Sequence, residues 1–192
     1  MLFHRIFGII LLLSLLQTTL AWYVAPASAT ILRVPQDYPT IQAAVNAASN
    51  TGDIIQVDAG SYYETVVVDK TVTIVGVNRE TTIVDGGGKN TVFQIKENNV
   101  ELRQLTIRNG GRDYNGVNVF YPYGGTIICN NKIMDNRVGI ALSQSDGNTV
   151  EDNVLINNAM YGITAKDYPA NTIVKNNTIS GSAYGIDLND AS

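Results

Sequence analysis

The sequence predicts an all-β domain wound as a parallel β-helix, and three observations predict it. Similar segments recur at intervals of about 23 residues, their apolar residues alternate with period two, and Asn, Asp and Gly recur every few residues. Period-two alternation is typical of strands, whereas Asn, Asp and Gly are typical of turns. Because one coil of this length cannot bury its own apolar face, successive coils must stack on one another.

The segment 1–29 predicts a secretory signal. Arg5 supplies a positive charge, a long apolar stretch follows, and Ala27-Ser28-Ala29 has the small-x-small pattern of a cleavage site. We expect cleavage after Ala29; the alternative is an uncleaved anchor, because the apolar stretch is long enough to span a bilayer. Either way residues 30–192 are expected outside the cytoplasm. They would be secreted or at the cell surface, or periplasmic in a Gram-negative host, with no membrane contact after cleavage.

Residues 30–52 predict a cap with a short helix. Apolar residues at positions 41, 44, 45 and 48 follow the spacing of an amphipathic helix, with Pro39 near its start and Gly52 beyond its end. Such a helix would shield the edge strands at one end of the β-helix. Residues 53–192 then form a β-helix of about six coils. No cap follows the last coil, so we expect missing coils or self-association at that end.

The repeat is clearest between residues 127 and 188. Three segments align there, and each is followed by a Gly-Ile pair at a constant interval of about 23 residues. One asparagine recurs at the same place in each segment. An inward Asn can hydrogen-bond both its own turn and the Asn of the next coil. We therefore predict a structural ladder of Asn131, Asn153 and Asn177.

Composition excludes several classes of function. The 192 residues carry 13 basic and 17 acidic side chains without a basic block, so no nucleic-acid partner is expected. The single Cys129 excludes an intramolecular disulfide and a multi-cysteine zinc site. The one histidine, His4, lies in the signal, which leaves almost no imidazole or soft ligands for copper. We expect no metal and no cofactor.

Two resemblances follow from these motifs. Residues 39–45, Gly52-Asp53, 60–66 and 72–76 resemble the N-terminal cap and first coils of pectin methylesterases and related pectin-lyase-like proteins. The later Asn-Asn-x-Ile and Gly-Ile repeats resemble the NosD-type repeat. Together the resemblances cover nearly all of residues 30–192 and imply a right-handed parallel β-helix. They imply no single activity, because this scaffold carries esterases, lyases, hydrolases and binding proteins.

The catalytic motifs of the resembled enzymes do not carry over to this sequence. Pectin methylesterases have a Gln-Asp-Thr segment, an Asp-Phe-Ile-Phe-Gly segment and a later arginine, and the nearest stretch here, 134–140, matches neither segment. Pectate lyases hold calcium with several carboxylates, whereas the acidic residues here stand singly. Calcium would be expected only if the protein were lyase-like.

The segment 109–125 interrupts the repeat by about three residues and concentrates aromatic and charged side chains. Loops that project from a rigid scaffold often bind ligands, and tyrosine rings offer flat faces to sugars. The predicted ligand-binding residues are Arg112, Asp113, Tyr114, Tyr121 and Tyr123. If an active site exists, Asp113 is the candidate acid or base and Arg112 its electrostatic partner. The alternative is a longer turn whose tyrosines pack on the coil.

These observations favour a secreted or cell-surface β-helix protein that recognises polysaccharide or another surface polymer, such as a cell-surface glycan, without catalysis. A carbohydrate-active enzyme, either a pectin esterase or a polysaccharide lyase, is the alternative. A structural surface-layer or adhesin module is the second alternative. An enzyme would need acidic groups near Arg112, and the candidates are Asp113, Asp135 and Asp187.

Overall fold

The computed structural model describes residues 28–120, 122–166 and 170–189. The predicted signal therefore lies outside the described residues, apart from its last two positions, and Tyr121 also lies outside them. Within the described residues one helix, α1 (Ile41–Ala47), accompanies the strands β1 to β19. In this part of the chain, α1 is too short to cross a bilayer, and no longer apolar helix occurs.

The strands form three sheets in which every neighbouring pair that is described is parallel. The first sheet contains β1 (Ile31–Val34), β2 (Asp53–Val57), β5 (Val72–Gly76), β8 (Glu101–Arg103), β11 (Ile127–Cys129), β14 (Thr149–Glu151) and β17 (Ile173–Lys175). The second contains β3 (Gly60–Tyr63), β6 (Thr82–Asp85), β9 (Thr106–Gly111), β12 (Lys132–Asn136), β15 (Val154–Ile156) and β18 (Thr178–Ser180). The third contains β4 (Val66–Val68), β7 (Phe93–Ile95), β10 (Val117–Phe120), β13 (Val138–Ser143), β16 (Tyr161–Lys166) and β19 (Tyr184–Asn189).

Each coil contributes one strand to each sheet, so a strand pairs with the strand three places along the chain. Coil 1 comprises β2 to β4, and the sixth coil comprises β17 to β19. The strand β1, which precedes the helix, adds a seventh strand to the first sheet. The protein is thus a parallel β-solenoid of about seven turns, which confirms the predicted fold.

The core fills the space between the three sheets. Alternate residues of each strand point inward, because side chains along a strand alternate between its two faces. In the third sheet, for example, Val117 of β10 lies level with Ile140 of β13 and with Phe93 of β7, and all three are fully buried. The period-two pattern of the sequence therefore maps onto one continuous apolar column.

The predicted capping helix is present as α1. Thr40 is its N-cap, and the Thr40 hydroxyl accepts a hydrogen bond from the Ala43 amide. The Glu64 carboxylate accepts the amides of Ile41 and Gln42, at 2.9 and 3.0 Å. Free amides at a helix N-terminus favour such a negative charge. The helix buries its apolar face, formed by Ile41, Ala44 and Val45, at one end of the solenoid.

The glycines of the first two Gly-Ile pairs, Gly139 and Gly162, are required by close stacking of coils. A Cβ on Gly139 would lie 2.5 Å from the Gly162 carbonyl oxygen and 2.7 Å from the Leu155 Cδ2. At the equivalent Gly185, which lies in the sixth coil, a Cβ would have no atom within 4 Å. In that coil the inward-row residues Ile186 and Leu188 are exposed.

Candidate ligand-binding site

The segment 109–125 is not the single projecting loop that the sequence predicted. Its first residues end β9, and residues 117–120 form β10. Val117 and Val119 are fully buried and pair with both neighbouring strands of the third sheet, so these residues continue the solenoid. The projecting part is divided between a connecting turn before β10 and another after it.

The two turns lie at opposite ends of β10. Arg112, Asp113 and Tyr114 are exposed and lie together in the turn that leads into the third sheet. Tyr123 is partly buried in the turn that follows β10. The four residues of β10 separate the two groups by about 13 Å. The structure therefore brings Arg112 to Tyr114 together and places Tyr123 apart from them, with both groups flanking the third sheet.

The candidate acidic residues are distributed over different coils. Asp113 lies in the turn before β10, whereas Asp135 is exposed on β12 of the second sheet, where its φ of 58° marks a bulge. Asp187 lies on β19 of the third sheet and pairs with Lys166 at 3.2 Å. These three carboxylates share neither a strand nor a connecting turn.

A groove of about 320 Å³ lies on the outer face of the third sheet, at the carboxyl ends of β7 and β10. Gln94 and Asn118 lie side by side there, because their strands pair in this register. Phe120, which is 52% exposed, and Tyr123 contribute two aromatic rings to the lining. Among the described residues that line the groove, Lys96 is the one that carries a charge.

A second depression, of about 360 Å³, adjoins this groove and shares Pro122 with it. It crosses the connecting turns of three successive coils and is lined by Asn98, Asn99, Gln144 and Asp146. The turns are fixed to one another, since the Gly125 amide donates to the Asp146 carbonyl at 2.8 Å. The Asn99 amide likewise donates to the Gly124 carbonyl at 3.0 Å, so backbone hydrogen bonds join all three turns of this depression.

The side chains that line the groove can form hydrogen bonds and apolar contacts. The side-chain amides of Gln94 and Asn118 can donate to and accept from hydroxyl groups. An aromatic ring offers an apolar face to the C–H side of a sugar ring. Lys96 has no ion-pair partner among the described residues, so its charge is available to a ligand. Among the predicted ligand-binding residues, Tyr123 lines this groove.

The asparagines of the repeat form a hydrogen-bonded column inside the solenoid. The Asn153 Oδ1 accepts from the Asn131 backbone amide at 3.0 Å, and the Asn177 Oδ1 accepts from the Asn153 amide at 3.0 Å. Each side-chain amide also donates to a backbone carbonyl, as Asn153 does to Ile128 at 2.8 Å. These three residues are structural in this geometry, since their polar groups satisfy backbone atoms.

A second asparagine column was missed in the sequence. The Asn158 Oδ1 accepts from the Asn136 backbone and side-chain amides, and the Asn136 Oδ1 accepts from the Gly110 amide. Both asparagines are buried. The sequence interval between Asn136 and Asn158 could have predicted this second column, because it equals the interval between Asn131 and Asn153.

Asp85 is a buried carboxylate at the end of β6. The Arg108 Nε donates to its Oδ2 at 2.8 Å, and the Asn109 side chain donates to its Oδ1 at 2.8 Å. Burial alone would raise the pKa of Asp85, but hydrogen bonds from Gly87, Asn109 and Arg108 outweigh it and hold that pKa below its usual value. This carboxylate therefore links coil 2 to coil 3 through its hydrogen bonds to Arg108 and Asn109.

The repeat family is shown by comparison with family models. The model described as the periplasmic copper-binding protein NosD matches residues 45–192, which is most of the chain. The chain therefore belongs to the NosD family of periplasmic β-helix proteins. No curated protein sequence matches the chain.

Solved structures share the fold at low sequence identity. ORF18 of Geobacillus virus E2 aligns with a TM-score of 0.64 and 15% identity, over 78% of this chain and 35% of the viral one. A pectin methylesterase variant in complex with a hexasaccharide aligns with a TM-score of 0.53 and 11% identity, over 84% of this chain and 67% of the esterase. The A-module of mannuronan C-5 epimerase AlgE6 from Azotobacter vinelandii aligns with a TM-score of 0.55 and 17% identity, over 75% of this chain and 52% of the module. The chain thus spans about a third of the viral protein and about half of the epimerase module.

The described residues do not fit the copper named in the family description. Copper prefers thiolate, thioether and imidazole donors, which in the described part of the chain are Cys129, Met134 and Met160. Cys129 is buried on the first sheet, Met134 lies on the second, and Met160 is exposed before β16. Burial also raises the pKa of the Cys129 thiol, which opposes the thiolate form. No group of three His, Cys, Asp or Glu side chains suited to a metal occurs in these residues.

Proposed function

We propose that this protein is an exported β-helix that recognises a polysaccharide on the outer face of the third sheet, without catalysis of its own. The observation that carries the proposal is the groove at the carboxyl ends of β7 and β10, where Phe120 and Tyr123 flank the amides of Gln94 and Asn118. Aromatic faces beside convergent amides suit sugar rings and hydroxyl groups. The periplasmic family description supports export.

Two fold neighbours add support, because a pectin methylesterase variant is described with a bound hexasaccharide and the epimerase is named for mannuronan. At these identities the likeness extends to the fold alone, so the argument for a saccharide rests on the groove. The solenoid holds the groove rigid, and a preformed site loses less conformational entropy on binding.

Titration calorimetry of residues 30–192 tests the proposal. The ligands are hexasaccharides of galacturonate and of cellulose, one anionic and one neutral. We expect one of the two to bind, and Phe120→Ala and Tyr123→Ala each to weaken binding about tenfold or more. Tyr184→Ala is the matched control, since Tyr184 is an exposed tyrosine on the same sheet in the sixth coil.

Two results would contradict the proposal. The first is that neither hexasaccharide, nor a sulfated galactan of equal length, binds at millimolar concentration. The second is that binding occurs but Phe120→Ala and Tyr123→Ala leave the affinity unchanged. The first result would favour a structural surface module.

A second candidate function is that of a carbohydrate-active enzyme, either a pectin esterase, the activity named for one fold neighbour, or a polysaccharide lyase. Arg112 and Asp113 are adjacent and exposed before β10, and they are the residues such an activity would use. Mass spectrometry of the incubated saccharides tests it. Loss of a methyl ester or a cleaved product, abolished in Asp113→Asn, would establish the enzyme and overturn the non-catalytic proposal.

A further inference from the structure

A separate groove of about 450 Å³ lies at the opposite, amino-terminal end of β7. It is formed by the connecting turns that lead into β4 and β7, in coils 1 and 2. The residues that matter for its chemistry are Tyr63, Glu64, Gly86, Gly87, Lys89 and Asn90.

Tyr63 dominates one side of this groove and is 76% exposed, an unusual position for a large aromatic side chain. The opposite side is a glycine turn. A Cβ on Gly86 would lie 2.9 Å from the Asn109 carbonyl oxygen, so this turn can pack against coil 3 only with glycine there. Gly87 has a φ of +64° and open space where a side chain would stand. The turn therefore leaves the face of the Tyr63 ring accessible.

Glu64 and Lys89 are the charged residues among the described side chains that line this groove. Both carboxylate oxygens of Glu64 are held by amides of α1, and Asp85 pairs with Arg108. Lys89 is exposed and forms no ion pair with any residue that the structure describes. A flat aromatic face beside an available ammonium suits a sugar that carries an anionic group.

The outer face of β7 connects this groove with the one at its carboxyl end. The Gln94 Nε2 donates to the Asn90 Oδ1 at 3.3 Å, and these residues line one groove each. From Lys89 to Lys96 the chain extends at most about 25 Å, which is the scale of an oligosaccharide. The turn that carries Arg112 and Tyr114 stacks on the same edge, since the Asn115 amide donates to the Thr91 hydroxyl at 3.3 Å.

We propose that the Tyr63–Lys89–Asn90 groove is a second subsite of the polysaccharide site, which binds an anionic sugar unit, carboxylated or sulfated. The bound chain then runs along β7, roughly perpendicular to the solenoid axis, and not parallel to that axis through the depression lined by Gln144. This inference rests on the proposed function, and it adds the orientation of the ligand and the charge of one of its units.

The test is the dependence of affinity on ligand length, measured by calorimetry with di-, tetra- and hexagalacturonate. In the unaltered protein we expect the affinity to rise about tenfold from the disaccharide to the hexasaccharide. Tyr63→Ala and Lys89→Ala should remove most of this rise while the disaccharide still binds at the carboxyl-end groove. Lys70→Ala is the matched control, because Lys70 is another cation beside the third sheet without an ion pair in the described structure.

The two competing orientations give opposite results. If the rise survives Tyr63→Ala and Lys89→Ala but is lost in Gln144→Ala, the ligand runs along the axis and the inference is overturned. Equal loss in Lys89→Ala and Lys70→Ala would also overturn it, because the effect would then be one of general charge.

The source of the anionic group is decided with sulfated galactan oligosaccharides of the same lengths. A Lys89-dependent rise with galacturonate identifies a carboxylate, and one with the galactan identifies a sulfate. If neither series shows a rise in affinity that depends on Lys89, the inference is overturned. Failure of the proposed function is distinct, because then Phe120→Ala leaves even the disaccharide affinity unchanged.

Discussion

At the residue scale, the side chains of buried asparagines hydrogen-bond backbone groups that water would bind in an exposed turn. Asn131 and Asn153 occupy equivalent positions in successive coils, and the side chain of each satisfies an amide and a carbonyl of the preceding coil. An unpaired buried backbone group costs about 1–3 kcal/mol, so the columns make tight turns compatible with a dry interior. The sequence revealed this position because the same residue type recurs at a nearly constant interval.

Asp85 allows a prediction about pH. Its hydrogen bonds lower the pKa of Asp85 in the folded state. The ionised carboxylate therefore stabilises the folded protein above the unfolded pKa near 3.8, and this stabilisation is lost as the pH falls through the lower folded pKa. Asp85→Asn should therefore lower the free energy of unfolding at pH 7 and weaken the decline of that free energy as the pH falls below about 4. Urea unfolding at a series of pH values measures both effects. Parallel curves for the variant and the unaltered protein would contradict this role.

At the element scale, the helix and most strands were predictable because their periods differ. Spacing of 3.6 residues marks α1, and spacing of two marks the strands. The segment 109–125 was harder, because Val117 and Val119 follow the period-two pattern of a strand while the glycine, asparagine and tyrosine around them favour a loop. Their strand character depends on pairing with β7 and β13, and that is a contact between coils rather than a local preference.

The groove at the carboxyl ends of β7 and β10 was largely hidden from the sequence for the same reason. Gln94 and Asn118 belong to successive coils and are distant along the chain, yet they lie on adjacent strands in register. The repeat interval predicts that Gln94 and Asn118 are neighbours only after the register of each coil is known. Tyr123 was found because aromatic residues concentrate near it, whereas Lys96 and Lys89 had no distinguishing pattern.

The column of glycines gives a prediction with an internal control. Gly139→Ala should destabilise the protein by about 1–3 kcal/mol, because its Cβ would meet the Gly162 carbonyl oxygen at 2.5 Å. Gly185→Ala makes the same chemical change where nothing lies within 4 Å, and should change stability by less than about 0.5 kcal/mol. Chemical denaturation of both variants provides the comparison. Similar losses in the two would show that backbone freedom, and not stacking, explains these glycines.

At the scale of the whole molecule, the two ends of the described solenoid differ. The first coil is covered by α1, which buries Ile41 and Val45. In the sixth coil the inward residues Ile186 and Leu188 are 48% and 64% exposed. Each coil packs mainly on its neighbours, so local stability should follow local burial.

Hydrogen exchange measures that difference. Amides of β17 to β19 should exchange faster than those of β5 to β7, because opening the sixth coil exposes less additional apolar surface. Mass spectrometry of peptides from the two regions gives the rates. Equal protection in both regions would mean that the solenoid opens as a single cooperative unit.

The constant register between coils also limits how the gene can change in length. Each described strand of a coil pairs in parallel with its counterpart in the neighbouring coil, as β13 does with β10 and β16. An in-frame duplication of one such unit adds a winding without changing the contacts of the others. A single codon inserted within β13 would instead turn its inward residues Ile140 and Leu142 toward solvent. The coding sequence should therefore tolerate gains and losses of whole windings far better than small insertions inside strands.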